Sequence, residues 1–546
     1  MVLLGDEVEI KSSICHFCTT VCCAIKVHVK GTRILGSEAD TECPMNPGPF
    51  CPRCGPYNFK FASEYFHSKN RTRFPMKRVG ERGSGRWEQL SWKEALDEIA
   101  EKLKEIREKY GAEAVATTKG TGRNAHEWAR TRFMFLFGTP NLVGINHICF
   151  TPSAWPDTVT FGFWPMIYMV PSTRCITFFG GNCPESTPVS WRGYVSHKEK
   201  LGTKLIVADP RFTESARIAD SWLQLRPGTD GAVFLAWLHV IINEELYDKE
   251  FVKKWCYGFD KLKERVQQYT PEWAEKVTGV PKEKIIESAK MYAANKPACS
   301  YHGNAPEASG RNTFQALRAK GILKAITGNL DVDGGEVMVP NPPEFTSDRP
   351  LELYDKLSPK QRVKMLGTDR FKMMTTPGYD LICESVTKAW GSNSWPTFHE
   401  TIEVHPGLLY RAILEGKPYP VKAVLVFASN PLVAFPDTKI CYKALKAVDL
   451  LVVSEFVWTP TAEIADYVLP SACSLETPDC SMLPGFGISD LVVAGEAAVP
   501  RKLSGEYDRL ADMEIWRELA VRLGQEEYWP WKNIEEFMEW RFKPLI

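Results

Sequence analysis

The chain has 546 residues, enough for about three or four domains at roughly 150 residues each. Hydrophobic residues make up 44% and charged residues 25%, as expected of a globular protein that buries a sizeable core. Lysine plus arginine (67) equals aspartate plus glutamate (67), which excludes a strongly basic surface for nucleic acid or for an anionic membrane.

The beginning of the chain does not predict a targeting segment. Its first ten residues, MVLLGDEVEI, place acids where a signal peptide needs a long apolar run. The longest apolar stretch, residues 233–242, is interrupted by His239 and is too short to span a bilayer. This stretch predicts a buried helix, and we expect a cytoplasmic protein without a membrane span.

Sixteen cysteines in a long chain without a predicted signal peptide indicate thiols or metal ligands rather than a disulfide framework. Cys15, Cys18 and Cys22 are spaced C-x2-C-x3-C in a turn-rich segment, and Cys51 and Cys54 follow. Four thiolates that converge on one point suit a [4Fe-4S] cluster. A structural zinc site is the alternative, although such sites more often use C-x2-C pairs. The fourth ligand stays open between Cys51 and Cys54.

Residues 92–110 repeat apolar side chains at helical spacing, and Gly111 follows as a stop signal, which predicts a long amphipathic helix. Farther along, strand-like runs alternate with helical runs. The strand-like runs are short, rich in β-branched or aromatic residues and bounded by turns: residues 174–179, 204–208, 421–427 and 449–453. This alternation predicts an α/β fold with parallel sheets.

Two stretches of the chain match each other without a gap: residues 209–223 (DPRFTESARIADSWL) and 455–469 (EFVWTPTAEIADYVL). Each follows a predicted strand, and each lies downstream of another strand that ends in an asparagine loop, at Asn182 and at Asn430. Ligands of such sheets bind outside the carboxyl ends of the strands, where these loops lie. The repeat predicts two related units with two similar ligands; the alternative is a duplicated scaffold that serves packing only.

Several motifs follow one another along nearly the whole chain: CHFCTTVC, CPRCG, GGNCPES, ADPRFTESARIADSWLQLRPGTD, AITGNLDVDGG, SNPLVAFPDT and TPTAEIADYVLP. With them the chain resembles the dimethyl sulfoxide reductase family, whose members hold molybdenum or tungsten between two molybdopterin guanine dinucleotides. Within that family it is most similar to the acetylene hydratase-like members.

The resemblance implies a multidomain α/β protein with two pseudo-symmetric, Rossmann-like parallel-sheet domains. The first would contain the metal ligand and one dinucleotide, and the second, discontinuous in sequence, would contain the other dinucleotide. The implied parts are a [4Fe-4S] domain (1–65), the first α/β domain (141–344), the second α/β domain (66–140 plus 345–530) and a short tail (531–546).

The resemblance also assigns roles to individual residues. Cys149 would bind the metal, since a soft thiolate suits molybdenum or tungsten, and His147 would serve as a nearby acid or base. The cluster ligands would be Cys15, Cys18, Cys22 and Cys51, with Arg53 passing electrons between cluster and pterin. The residues implied for the first dinucleotide are Gly181, Asn182, Pro184, Asp209, Arg211, Gly228, Thr229 and Asp230. Those implied for the second are Asn430, Pro431, Glu455, Thr461 and Asp466, although Asp220 and Asp466 could instead brace local structure.

Two positions depart from the family's patterns. Phe150 follows the metal-binding cysteine, where formate dehydrogenases have histidine, and Thr19 follows the second cluster cysteine, where acetylene hydratase has aspartate. The main hypothesis is a two-electron oxidation or reduction of a small molecule at the metal, with electrons passing through the cluster. A non-redox hydratase and a pterin-free electron-transfer subunit are the alternatives.

Family members continue beyond the position of Ile546 with a barrel-like domain that closes over both dinucleotides. We expect a separate small subunit to supply that domain; the alternative is that this sequence is a fragment of a longer chain. We also expect an iron–sulfur or flavin subunit that exchanges electrons with the chain, and no nucleic acid partner.

Overall fold

The computed structural model describes residues 7–15, 23–43, 68–120, 126–149, 151–338, 348–391, 401–480 and 492–545 of the chain. Its strands, in chain order, are β1 (Glu9–Cys15), β2 (Cys23–Lys30), β3 (Arg33–Ala39), β4 (Met76–Arg78), β5 (Trp87–Gln89), β6 (Val115–Thr118), β7 (Leu142–Val143), β8 (Met166–Ile167), β9 (Cys175–Phe179), β10 (Lys204–Ala208), β11 (Ser221–Leu223), β12 (Ala298–His302), β13 (Glu336–Val337), β14 (Ala423–Val426), β15 (Leu450–Glu455), β16 (Tyr467–Pro470), β17 (Asp479–Cys480), β18 (Ala494–Gly495), β19 (Lys502–Leu503) and β20 (Tyr507–Asp508).

The helices, also in chain order, are α1 (Trp92–Tyr110), α2 (Trp128–Phe137), α3 (Thr151–Phe161), α4 (Cys183–Ser186), α5 (Pro188–Leu201), α6 (Glu214–Arg217), α7 (Asp230–Asn243), α8 (Lys249–Trp255), α9 (Phe259–Arg265), α10 (Pro271–Thr278), α11 (Lys282–Ala294), α12 (Asn304–Ala308), α13 (Thr313–Ile326), α14 (Arg349–Glu352), α15 (Pro359–Arg362), α16 (Thr376–Trp390), α17 (Pro406–Glu415), α18 (Pro431–Ala434), α19 (Thr438–Ala447), α20 (Pro460–Glu463), α21 (Asp512–Arg522) and α22 (Ile534–Phe542).

Strands β1, β2 and β3 form an antiparallel sheet near the start of the chain, with Cys15 opposite Cys23 at one end. The buried face of this sheet packs against Val499, near the other end of the chain. Gly495 permits the close contact, because a Cβ there would lie 2.7 Å from the Cα of Ser13.

The first α/β unit is built on a parallel sheet of order β11-β10-β9-β12. Strands β9 and β10 lie where the sequence predicts them, as nearly continuous apolar runs that need cover on both faces. Helix α7 contributes Phe234 and Trp237, which pack on Phe179 of β9. The predicted buried helix at 233–242 is the body of α7.

The second α/β unit is built on a sheet of order β5-β4-β16-β15-β14-β6-β7. The strands from β16 to β7 are parallel, and β4 and β5 add an antiparallel edge. The predicted helix is α1, which begins with a capping box between Ser91 and Glu94 and ends at Gly111, whose φ is +90°. The expected α/β fold with parallel sheets is confirmed.

Two parts of the chain differ from the predicted boundaries. Strand β7 pairs with β6, so residues 142–143 belong to the second sheet rather than to the first domain. The stretch predicted as a tail contributes Trp531 and Phe537, which pack on Trp128 in the core of the second unit. A two-residue strand and a short helix carry too little sequence pattern to be assigned to a unit in advance.

None of the helices in the described part of the chain combines the length and the apolar character needed to cross a membrane.

Candidate functional site

The carboxyl edge of the first sheet collects the loops that follow its parallel strands. Two glycines there are required by close approach. A Cβ at Gly181 would lie 2.5 Å from the ring of Tyr301, and one at Gly228 would lie 2.7 Å from the carbonyl oxygen of Ser309. Gly228 also has a φ of +79°, which favours glycine. The loops after β9 and β11 therefore pack closely against the segment 301–309 at this edge.

The polar groups of this edge are two acids and an amide. Asp209 follows β10, and its Oδ1 accepts a hydrogen bond from the backbone N–H of Arg211 (2.8 Å). Asp230 begins α7, and burial, together with the nearby Asp209, raises the pKa of its carboxyl to about 6. Both amide atoms of Asn182 are buried and have no hydrogen-bond partner among the described residues. Such an amide is satisfied by a hydrogen-bond partner from outside the described residues, a ligand or a water molecule.

The other residues predicted for this edge differ in what they can do. Pro184 lies in the first turn of α4, where it needs no N–H partner. The Thr229 hydroxyl donates to the carbonyl of Arg226 (2.6 Å), so it braces the turn before α7. Arg211 is exposed, 3.9 Å from Glu185, and is free to move toward an anion.

The carboxyl edge of the second sheet has a similar construction. Thr461 donates to Oδ1 of Asn430 (2.7 Å) and accepts from the N–H of Leu432 (3.2 Å), which fixes the loop at the start of α18, where Pro431 lies. Glu455 ends β15, and its Oε1 accepts from the N–H of Phe456 (3.0 Å). Burial, and then the nearby Asp512, raise the pKa of Glu455 to about 7.

Asp512 is a member of this site that sequence reasoning missed. It begins α21 and accepts hydrogen bonds from the hydroxyls of Ser454 (3.1 Å) and Ser471 (2.8 Å). Burial raises the pKa of its carboxyl. Its position matches that of Asp230, since each begins the helix that follows the last parallel strand of its repeat. An acid at the start of a predicted helix could have indicated Asp512 from the sequence. About forty residues separate it from β16, however, so the sequence does not connect it with the repeat.

Asp466 does not lie at this edge. Its Oδ2 accepts from the N–H of Leu451 (2.8 Å) at the beginning of β15, and it forms ion pairs with Arg78 and Arg82. Asp466 directly precedes β16 and lies beside the first residues of β15, so it is at the amino end of the sheet. Asp220 does the same in the first unit, accepting from Leu205 (2.8 Å). The prediction that Asp466 binds the second dinucleotide is corrected: both acids brace neighbouring strands.

The Cys149 loop, residues 144–149, leaves the carboxyl end of β7 in the second unit and leads into α3. Cys149 is half-buried. Helix α3 packs on α13 of the first unit, where Lys324 donates to Asp157 (2.8 Å). The loop therefore passes from the carboxyl edge of one unit to the other. Burial, and then the neighbouring His405, lower the pKa of His147 to about 4, so the ring is neutral at pH 7.

The predicted cluster site falls mostly outside the described residues. Cys15 is buried at the end of β1. Cys18, Cys22, Cys51 and Arg53 lie outside the residues that the structure describes. Within the described ranges, no three His, Cys, Asp or Glu side chains gather in a way that could hold a metal ion.

The polar groups at the two edges that lack a charged or hydrogen-bonding partner among the described residues are of the kind that a pterin dinucleotide can bind. The carboxylates of Asp209, Asp230 and Glu455 form no ion pair with any described residue, and the buried hydroxyls of Thr118 and Ser429 have no partner there either. Guanine and ribose bring N–H and O–H donors that such carboxylates accept, and loop amides suit a pyrophosphate.

Comparison with known proteins agrees with this construction. The molybdopterin oxidoreductase family model matches residues 71–483. Acetylene hydratase of Syntrophotalea acetylenica is 35% identical over 545 residues, covering 98% of this chain and 72% of that protein. The F420-dependent formate dehydrogenase subunit alpha of Methanocaldococcus jannaschii is 30% identical, with 97% and 72% covered.

A solved structure is also similar throughout. Acetylene hydratase from Pelobacter acetylenicus matches with a TM-score of 0.88 and 34% identity, over 98% of this chain and 72% of that one. The sequence match spans both α/β units, and the structural match includes their arrangement. The chain therefore belongs to the molybdopterin oxidoreductase family of molybdenum and tungsten enzymes.

Proposed function

We propose that the chain is the catalytic subunit of an oxidoreductase that holds molybdenum or tungsten between two molybdopterin guanine dinucleotides and carries a [4Fe-4S] cluster. The observation that carries this proposal is the pair of matched sheet edges, each with two buried carboxyl groups, joined by the Cys149 loop. Two dinucleotides on one metal explain why a single chain has two such edges.

In this proposal each edge binds one guanine dinucleotide. Asp209 and Asp230 accept hydrogen bonds from one nucleotide, and Glu455 and Asp512 accept them from the other. The thiolate of Cys149 would be the protein ligand of the metal. The bound metal supplies two-electron redox chemistry or Lewis acidity to the substrate.

Proton and electron transfer use different parts of the chain. His147, on the Cys149 loop, exchanges a proton with a small-molecule substrate. Cys15, Cys18, Cys22 and Cys51 would hold the cluster, with Arg53 between it and the pterin, and the cluster would supply electron transfer. An iron–sulfur or flavin subunit in the cytoplasm would exchange the two electrons of substrate oxidation or reduction with the chain.

A non-redox hydratase is the second candidate. The 35% identity to acetylene hydratase and the TM-score of 0.88 to a solved acetylene hydratase structure favour it. Hydration adds water to a carbon–carbon triple bond without net electron transfer, so it needs no acceptor. Thr19 weighs against a shared mechanism, because a hydroxyl at that position cannot act as the acid that a carboxyl group provides.

The test uses the native complex, purified without air together with its co-purifying subunits. Molybdenum, tungsten and iron are measured by plasma mass spectrometry, and guanine released by acid is compared with the metal content. Substrate-dependent reduction of a viologen dye supports the oxidoreductase. Conversion of acetylene without any acceptor supports the hydratase instead, and iron without molybdenum or tungsten overturns both.

A pair of cysteine variants controls this test. Cys149→Ala is expected to abolish turnover while the fold is retained. Cys256→Ala is the matched control, because Cys256 is also half-buried but lies at the end of α8, away from both edges. Full activity of the Cys149→Ala complex would contradict the assignment of the metal ligand.

A further inference from the structure

The Cys149 loop is held by a segment distant in sequence, residues 401–405. Two backbone hydrogen bonds close turns at the end of the loop, from Ile148 to Ile145 (2.9 Å) and from Thr151 to Cys149 (2.8 Å). The 401–405 segment continues the sheet beside β7, since the N–H of Val404 donates to the carbonyl of Leu142 (2.7 Å). The orientation of the loop therefore depends on what this segment presents to it.

Alternate residues of the 401–405 segment contact the loop and the start of α3. The contacts are a hydrogen bond from the Thr151 hydroxyl to the Thr401 carbonyl (3.0 Å), a hydrogen bond from the Asn146 N–H to Oε2 of Glu403 (3.1 Å), and the ring of His405 at 4.3 Å from that of His147.

Glu403 is the central one of these residues and is deeply buried. Its side chain is 0% exposed. A Cβ at Gly144 would lie 1.9 Å from Oε2 of Glu403, so the loop wraps closely around the carboxylate. The φ of Gly144 is not in the left-handed region, so space rather than backbone conformation requires glycine there.

The two carboxylate oxygens of Glu403 have different partners. Oε1 faces two buried cations, Nη2 of Arg130 at 3.1 Å and Nζ of Lys119 at 3.8 Å. Lys119 also pairs with Glu127 (3.1 Å), so two acids balance two bases. Oε2 is left to accept the loop amide. A charged acceptor forms a stronger hydrogen bond to an amide than a neutral one, which makes this contact a firm anchor.

We propose that Glu403 is a positioning residue, held through one oxygen by Arg130 and Lys119, which anchors the Asn146 amide through the other and so sets the direction of the Cys149 thiol. The proposal rests on the proposed role of Cys149 as metal ligand and deepens it. Glu403 does not touch the reacting atoms; it acts through the backbone of the Cys149 loop.

The first test measures the Cys149 thiol in the metal-free chain. Glu403→Gln keeps the shape but removes the charge, and Gly144→Ala forces the carboxylate and the loop apart. Both are expected to raise the rate at which iodoacetamide alkylates Cys149 severalfold, followed by mass spectrometry of the peptide. Circular dichroism verifies that each variant is folded.

Glu336→Gln is the matched control. Glu336 is also buried, pairs with Lys324 (2.6 Å) and accepts a backbone N–H from Ser300 (2.9 Å), but it does not contact the loop. This variant loses a comparable buried ion pair and is expected to leave the alkylation of Cys149 unchanged. An equal effect of Glu336→Gln and Glu403→Gln, or no effect of Glu403→Gln, would overturn the proposal.

The second test uses the complete enzyme. Changes to groups that orient a metal ligand typically cost about 10- to 100-fold in metal affinity or activity, and we expect Glu403→Gln to lie in this range. X-ray absorption at the metal edge is expected to show an altered metal–sulfur shell in Glu403→Gln and the wild-type shell in Glu336→Gln.

A double-variant cycle tests the mechanism itself. Gly144→Ala is expected to have little further effect when combined with Glu403→Ala, because the carboxylate that it displaces is gone. Additive effects would mean that the two residues act separately, against the proposal. Failure of the proposed function is seen differently: wild type and Cys149→Ala would then give the same metal edge spectrum, while the alkylation result stands by itself.

Discussion

At the carboxyl edge of the first sheet, Asn182 keeps both amide atoms buried and without a partner in the described part of the chain, whereas at the second edge Asn430 accepts a hydrogen bond from Thr461. The paired acids are alike at the two edges, but the amides are prepared differently. The repeat thus preserves the paired acids, which can accept hydrogen bonds, and varies the hydrogen bonding of the asparagine that begins each loop. The first edge depends on its ligand for order more than the second does.

The amino ends of the two sheets also differ, in how far the side chains of their ion pairs are buried. Asp220 pairs with Lys198 near the surface, where the side chains are 22% and 25% exposed. Asp466 pairs with Arg78 and Arg82, and the Asp466 and Arg82 side chains are only 11% and 9% exposed. The same brace is therefore more deeply buried in the second unit, so that breaking it leaves a less solvated charge.

Arg82→Ala gives the largest expected contrast between the units. It leaves the largely buried Asp466 with one cation fewer and removes donors to three backbone carbonyls, and breaking such pairs costs about 3–5 kcal/mol. Lys198→Ala removes a more exposed pair and is expected to cost less than about 1 kcal/mol. Hydrogen–deuterium exchange of peptides from β15 and β10 reports each unit separately. Equal losses would refute the argument from burial.

The pH dependence of the second edge is the next largest effect. The folded pKa of Glu455 is about 7, above its unfolded value near 4.5, so the folded state holds the proton more tightly. The contribution of Glu455 to the stability of the cofactor-free chain is then fully present below pH 4.5 and falls by about 3 kcal/mol as pH rises through 7. Glu455→Gln removes this loss, which thermal unfolding at several pH values measures. A wild-type slope that survives in the variant would contradict the assignment.

Asn182→Ala and Asn430→Ala separate ligand binding from loop order. Removing the unpartnered amide is expected to weaken binding of a guanine nucleotide by about fivefold, since one hydrogen bond contributes about 1 kcal/mol. Asn430→Ala is expected to affect the stability of its loop more than binding. Calorimetric titration with GMP compares the two, with the exposed Asn243→Ala as control.

The helix caps of the repeat give the smallest expected effect, and it is the same in both units. Thr213 and Thr459 each accept the N–H three residues later at 3.2 Å, from Ala216 and Ala462. Substituting either threonine by alanine is expected to cost about 1 kcal/mol. The same exchange measurements detect this loss, and a difference of several kcal/mol between the units would break the equivalence of the repeats.

Much of this organisation could be predicted from the sequence because its signals are local. The helix at 92–110 follows from apolar spacing, the Ser91 cap and Gly111. The strands β9, β10, β14 and β15 follow from short apolar runs, and the repeat places acids and asparagines at strand ends. The parallel sheets then bring these loops to a common edge.

What only the tertiary structure decided concerns residues whose partners are distant in the chain. Asp466 has the same local sequence whichever end of the sheet it occupies, and its arginines lie 384 and 388 positions away. Asp512 lies near Glu455 only in the folded chain. Glu403 contacts the Cys149 loop because residue 404 pairs with residue 143, far away in sequence. The local sequence pattern determined which elements form and which loops are polar. The order of strands in the sheet determined which of those polar groups lie together, because hydrogen bonds between strands can join residues that are far apart in the sequence.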